Sequence, residues 1–116
     1  MIQNFQDLIV WQKAHKLTLA IYKISKLFPC EERFGLVSQI RRASASICAN
    51  IAEGHKKSTR DFVRFLDISQ GSLQETKYHL ILAKDLEYLN INSFHELSDL
   101  SDEVGKMLSR LIQKLR

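Results

Sequence analysis

Structural punctuation is scarce in this 116-residue chain, which has one proline and four glycines. So few breakers argue against a fold of many short strands joined by tight turns and favour a few long elements. The two cysteines, Cys30 and Cys48, form no CxxC pair. That excludes a disulfide-dense scaffold and a zinc ribbon. Free thiols of a reducing compartment are expected, although the spacing alone leaves a bridge between them open. No apolar run approaches the ~20 residues needed to span a bilayer. The opening MIQNFQDLIVWQK has no basic stretch followed by an apolar one, as a secretory signal would. A cytoplasmic protein with no membrane partner is the expectation.

Catalytic patterns are missing too. His15, His55, His79 and His95 are scattered, and no Glu-x-x-His pair offers a bundle di-metal site. His95-Glu96 starts a zinc-protease string, but Asp99 stands where the second histidine belongs. Gly54-His55-Lys56-Lys57-Ser58 matches the tail of a phosphate loop but lacks its leading glycine and the preceding strand. With no nucleophile–base or ligand set, the expectation is a non-enzymatic protein without metal or cofactor.

What the chain has is apolar periodicity. Hydrophobic residues make up 45% and charged residues 26%, enough for one domain over residues 1–116 to bury a core unaided. Val10, Ala14, Leu17, Ile21, Ile24 and Phe28 recur at steps of four and three, predicting a helix from about Asp7 to Leu27. Asp7 is placed to cap it, and Phe28-Pro29 to stop it. Leu36, Ile40, Ala43, Ile47 and Ile51 mark a second helix to about Glu53, kept thin by alanines and serines, with Gly54 as its left-handed terminator. Phe62, Leu66, Ser69, Leu73, Thr76, Leu80 and Ala83 give the longest helix, about Thr59 to Leu86, capped by Ser58 or Thr59. Gly71 inside it costs roughly 1 kcal/mol against alanine, and makes sense where another backbone crosses closely. Ser93-x-x-Glu96 has capping-box spacing for a fourth helix along Leu97, Leu100, Val104, Leu108, Leu111 and Leu115. Short links between long helices predict an all-α, up-down-up-down antiparallel four-helix bundle.

Apolar residues also lie off these stripes: Leu8, Ile9, Trp11, Leu19 and Tyr22 on the first helix, and Ile68, Ile81, Leu82 and Tyr88 on or near the third. Such surplus predicts a subunit interface, the alternative being a wide core stripe.

Several segments resemble the four-helix bundle proteins encoded within intervening sequences of bacterial 23S ribosomal RNA genes. They are Phe5-x-Asp7-Leu8-x-Val10-Trp11-x-Lys13-Ala14, Glu32-Arg33-x-Gly35-Leu36, Gln39-Ile40-Arg41-Arg42-Ala43, Asn50-Ile51-Ala52-Glu53-Gly54, Arg64-Phe65-Leu66, Gly71-Ser72-Leu73-x-Glu75 and Ala83-Lys84-Asp85-Leu86. Cys30-Glu31 and the polar run Ser44-Ala45-Ser46 depart from the family's usual pattern. The resemblance implies a four-helix bundle that assembles into a ring, a homopentamer. It extends to an accessory protein of diversity-generating retroelements, which is basic and works with nucleic acid and a reverse transcriptase.

Charge supplies the functional candidate. The net +4 is uneven: residues 1–29 carry +3 and 30–57 carry +2, whereas 58–90 carry −1 and 91–116 balance. His55, Lys56, Lys57, Arg60 and Arg64 crowd into ten residues with Asp61 as the sole acid. Arg60 and Arg64 are like charges at i, i+4, mildly unfavourable without an anion, at the positive end of the third helix. Phosphate of structured RNA or DNA fits there. The plain alternative is a solvated turn, with Asp61 and Asp67 offsetting the arginines. Arg41 and Arg42 point about 100° apart, one toward an assembly or nucleic-acid surface, the other toward Glu53 or a neighbouring subunit's acid. The expected nucleic-acid contacts are therefore Arg41, Arg42, Lys56, Lys57, Arg60 and Arg64. The competing expectation is an adaptor that docks a polymerase-type protein, such as a reverse transcriptase or a ribosome-associated partner, through Trp11 and Tyr22.

Overall fold

The computed structural model describes residues 4–116. Helices α1 (Ile9–Ser25), α2 (Leu36–His55), α3 (Thr59–Asp85) and α4 (Ile91–Leu115) account for most of the chain, with 3₁₀ turns at Phe5–Asp7 and Cys30–Glu32. Each helix packs on its neighbours in chain order and α4 closes onto α1, while the backbones of diagonal pairs stay apart. Cross-helix pairs run in opposite directions along each seam: Ile47 meets Ser69 and Ser46 meets Ser72, then Gln70 meets Ser109 and Lys77 meets Asp102. Those pairings define an antiparallel up-down-up-down bundle. No strand occurs among the described residues.

The core follows the apolar stripes. Val10, Ala14, Leu17, Ile21, Ile40, Ile47, Leu66, Leu73, Leu80, Val104 and Leu108 are all buried. Hydroxyl side chains share that interior because a carbonyl lies within reach. Ser69 Oγ donates to Ile47 O across the α2–α3 seam at 2.9 Å, and Thr18 Oγ1 donates to Ser44 O across α1–α2 at 3.0 Å. Small hydroxyls so satisfied let these helices approach without leaving buried polar atoms unpaired.

Three helix ends and one interior glycine depart from expectation. Asp7 does not cap α1: it closes a 3₁₀ turn onto Asn4 O, and the helix starts after Leu8, which offers no side-chain cap. Phe5 lies edge-on to Trp11 with ring centroids 5.1 Å apart, folding that turn back along the helix. Gly54 is no left-handed terminator; it is buried within α2, which continues to His55. The capping box at Ser93 is also displaced, because Asn90 Oδ1 accepts from Ser93 N at 2.8 Å and α4 begins a turn earlier. Gly71 has no neighbour within 4 Å of where a Cβ would stand, so no backbone of this chain crosses it. The Ser58 cap is present, its Oγ accepting from Asp61 N at 3.2 Å.

At the end of the bundle that holds two connections, Glu32 ties them together. Its Oε1 accepts the free amide of Leu36 at the start of α2, at 3.2 Å, and its Oε2 accepts the Tyr88 hydroxyl at 3.0 Å. A Cβ on Gly35 would lie 2.7 Å from that Oε1, so glycine is what admits the carboxylate. Tyr88 is aimed by the close of α3, where its amide bonds Ala83 O and the Glu87 amide bonds Lys84 O, a Schellman ending. Glu87 takes the left-handed conformation there, with φ of 66°. The bond to Glu32 raises the Tyr88 phenol above its ordinary pKa, aided by desolvation.

A candidate nucleic-acid interface at the α2–α3 turn

The opposite end is built around a glycine. A Cβ at Gly54 would stand 2.6 Å from Phe65 Cβ and 3.1 Å from Phe62 Cδ1, so its absence lets the first turns of α3 close against the end of α2. That approach fixes the half-buried Phe65, whose ring gathers two cations. Lys57 Nζ lies 5.7 Å and Arg64 Cζ 5.0 Å from its centroid. Cation–π attraction of about 0.5–1 kcal/mol at such exposed sites partly offsets the repulsion between them. Arg60 and Arg64 border a surface cleft of about 570 Å³ with Ser58, Asp61, Val63 and Asp67.

No carboxylate forms an ion pair with this cluster, although Asp61 and Asp67 line the same cleft. Asp67 pairs with Arg116 at 3.3 Å, on the last residue of the chain, and Asp61 sits in the first turn of α3 without an ion pair. Among the described residues no carboxylate lies within ion-pair distance of Lys56, Lys57, Arg60 or Arg64. The cations therefore crowd one turn beside the unbonded amides and positive dipole end of α3, which suits an anion. His55 belongs to the packing instead, its ring edge-on to Phe62 at 5.9 Å.

Arg41 and Arg42 are not part of this cluster. Arg42 lies 14 residues before Lys56 on α2, about 21 Å along the axis at 1.5 Å per residue. Arg41 is held in place: its Nε donates to Ser25 Oγ at 2.9 Å, an Nη donates to Tyr22 O at 3.2 Å, and its guanidinium lies over the Tyr22 ring. Neither arginine pairs with Glu53. Arg42 is exposed and opens onto a separate groove. Asn50 is structural, its Nδ2 donating back one turn to Ser46 O at 2.8 Å.

Other chemistry finds little support. The cysteines are unbonded, with Cys30 exposed and Cys48 buried beside Thr18. Burial pushes the Cys48 thiol above its ordinary pKa, only partly opposed by the Thr18 hydrogen bond. No cluster of three or more potential metal-binding side chains occurs among the described residues, and no helix is long and apolar enough to cross a membrane. The apolar surplus divides in two. Ile9, Leu19, Tyr22, Ile68 and Ile81 are exposed, whereas Leu8, Trp11, Leu82 and Tyr88 pack against the core. Trp11 is stacked on His15 at 4.8 Å. Phe34, exposed over 88% of its surface, and Tyr78 join the exposed set without having broken any stripe in the sequence.

Fold and site together define a small antiparallel four-helix bundle with unpaired cations gathered at one inter-helix turn. The family model of the 23S rRNA-intervening sequence protein matches residues 6–110. The chain belongs to that family. A crystal structure of a protein of unknown function from the S23 ribosomal protein family of Bacteroides thetaiotaomicron VPI-5482 superposes with a TM-score of 0.84. It is 30% identical, and the match covers 90% of this chain and 96% of that one. No curated protein matches.

Proposed function

We propose that the protein binds structured RNA or another nucleic acid through the α2–α3 turn, without catalysing a reaction, in the cytoplasm. The observation that carries this reading is the packing of Lys57 and Arg64 on Phe65 over Gly54, beside Arg60 and with no carboxylate paired to any of them. Lys56 adds to the same potential. Contacts of this kind reach phosphate oxygens, so recognition follows charge and shape more than base sequence. Self-association into a ring, the homopentamer of the resemblance, would repeat the cluster around one particle and multiply weak contacts. The adaptor reading loses one of its two anchors, since Trp11 is engaged by Phe5 and His15.

Binding of a fluorescent RNA hairpin, titrated from low to moderate salt, tests the proposal. Affinity should fall with a log–log slope of about −0.7 to −0.9 per phosphate neutralised. The Lys57→Ala/Arg60→Ala/Arg64→Ala variant should lose about two to three such increments of slope, with its far-UV circular dichroism unchanged. Salt-independent binding, or a triple variant that binds normally, overturns the reading.

A further inference from the structure

Charge along α4 is segregated in a way that its even balance conceals. Glu96, Asp99, Asp102 and Glu103 all precede Gly105, whereas Lys106, Arg110, Lys114 and Arg116 all follow it with no acid among them. Lys114 lies in the last turn, where the negative end of the helix dipole favours a cation, and Arg116 is paired with Asp67. Lys106 and Arg110 have neither reason. The dipole's effect fades within one turn, and Lys106 stands about 14 Å before the end of α4 at 1.5 Å per residue. Both side chains are exposed and, among the described residues, neither forms an ion pair. As like charges at i, i+4 they repel each other.

The two cations line a surface groove of about 460 Å³ on the α3–α4 seam. Its α3 wall is largely amide: Gln70 Nε2 donates to Gly105 O at 3.2 Å and to Ser109 Oγ at 2.9 Å, and Gln74 is exposed. Asp102, the one carboxylate lining the groove, is held by Lys77 at 2.8 Å and does not answer Lys106. No aromatic side chain lines it. Antiparallel packing runs this groove into the α2–α3 turn. The bond from Arg116 to Asp67 sets the end of α4 beside the first turns of α3, where Arg60 and Arg64 stand. From Arg60 to Gln74, which lines the groove with Lys106, the distance along α3 is about 21 Å at 1.5 Å per residue.

We infer that the α3–α4 groove continues the nucleic-acid surface of the turn, so that one backbone strand of a base-paired RNA stem runs from Arg60 and Arg64 past Arg110 to Lys106. This rests on the nucleic-acid reading of the turn, and it adds two contacts and the form of the partner. Charge complementarity and continuity with the turn identify the occupant. Charges of one strand recur about every 3.4 Å of duplex axis, so the track takes in about six of them. The Gln74 amide offers a neutral donor to a phosphate or sugar oxygen between the cations. Unpaired strands are held by stacking their bases on aromatic rings. The groove has no such ring, whereas a stem presents its phosphates alone.

Titration of a fluorescent RNA hairpin with the full chain tests this through Lys106→Gln/Arg110→Gln, which removes both charges and keeps good helix formers. The variant should bind about 10-fold more weakly at low salt and lose about two phosphate increments of the log–log salt slope, with its helical signal retained. Lys16→Gln/Lys23→Gln removes two exposed cations from α1, diagonal to α3, and should change affinity by less than about twofold. Affinity should rise steeply as the stem lengthens to about six base pairs, and an unpaired strand of equal length should bind more weakly. A groove variant that binds like the wild type, while the turn variant does not, overturns the track and leaves the turn reading in place. Equal losses in the groove and α1 variants overturn it too, since net charge alone then sets the affinity. An unpaired strand that binds as tightly as the stem overturns the choice of partner. A wild type without salt-dependent binding overturns turn and track together.

Discussion

The two ends of the bundle solve the same packing problem with glycine and reach opposite electrostatic outcomes. At one end Gly35 admits Glu32, and the carboxylate is fully employed by an amide and a phenol. At the other, Gly54 admits Phe65, and the ring collects Lys57 and Arg64 with no acid to pair them. One end closes its charge internally and joins two connections. The other presents its charge to solvent. A structural role accounts for Glu32 and Tyr88 at the first end, whereas the cations at the second have no carboxylate partner.

The sharpest way to break this comparison is at the second glycine. Gly54→Ala sets a methyl group 2.6 Å from Phe65 Cβ, an atom fixed to the backbone. Overpacking of this kind should lower stability by about 3 kcal/mol and loosen the cation cluster with it. Urea unfolding at fixed protein concentration reads the first effect and hairpin binding the second; a neutral substitution would mean that α2 and α3 do not cross this closely. A smaller loss is expected at the first end. Tyr88→Phe removes one bond to Glu32 and should lower the urea midpoint only slightly, with nucleic-acid binding unchanged, since the two ends are separate. The smallest effect should be a gain. Glu87→Gly relieves a left-handed residue at the close of α3, adding about 0.5–1 kcal/mol by the same unfolding measurement.

Most of the architecture was legible in the sequence because a bundle helix is written as a period. The seven positions from Phe62 to Ala83 read as one seam, serine and threonine included, are all buried. Helix ends were less legible. A cap depends on which of several competent side chains reaches the free amides, so Asn90 displaced Ser93, while Asp7 was drawn into a 3₁₀ turn and α1 starts without a side-chain cap. Charge pairing was illegible for a related reason: Asp67 lies beside Arg64 in number, yet its ion pair comes from Arg116.

By itself the sequence determined that four apolar stripes would bury against one another, because removing a helix face from water is set by residue type and spacing. Tertiary structure decided what each glycine does, since Gly35, Gly54 and Gly71 are one residue type and differ in what stands where a Cβ would be. It also decided which cations are free. Pairing is a matter of distance between side chains on different helices, and spacing along one helix does not contain it.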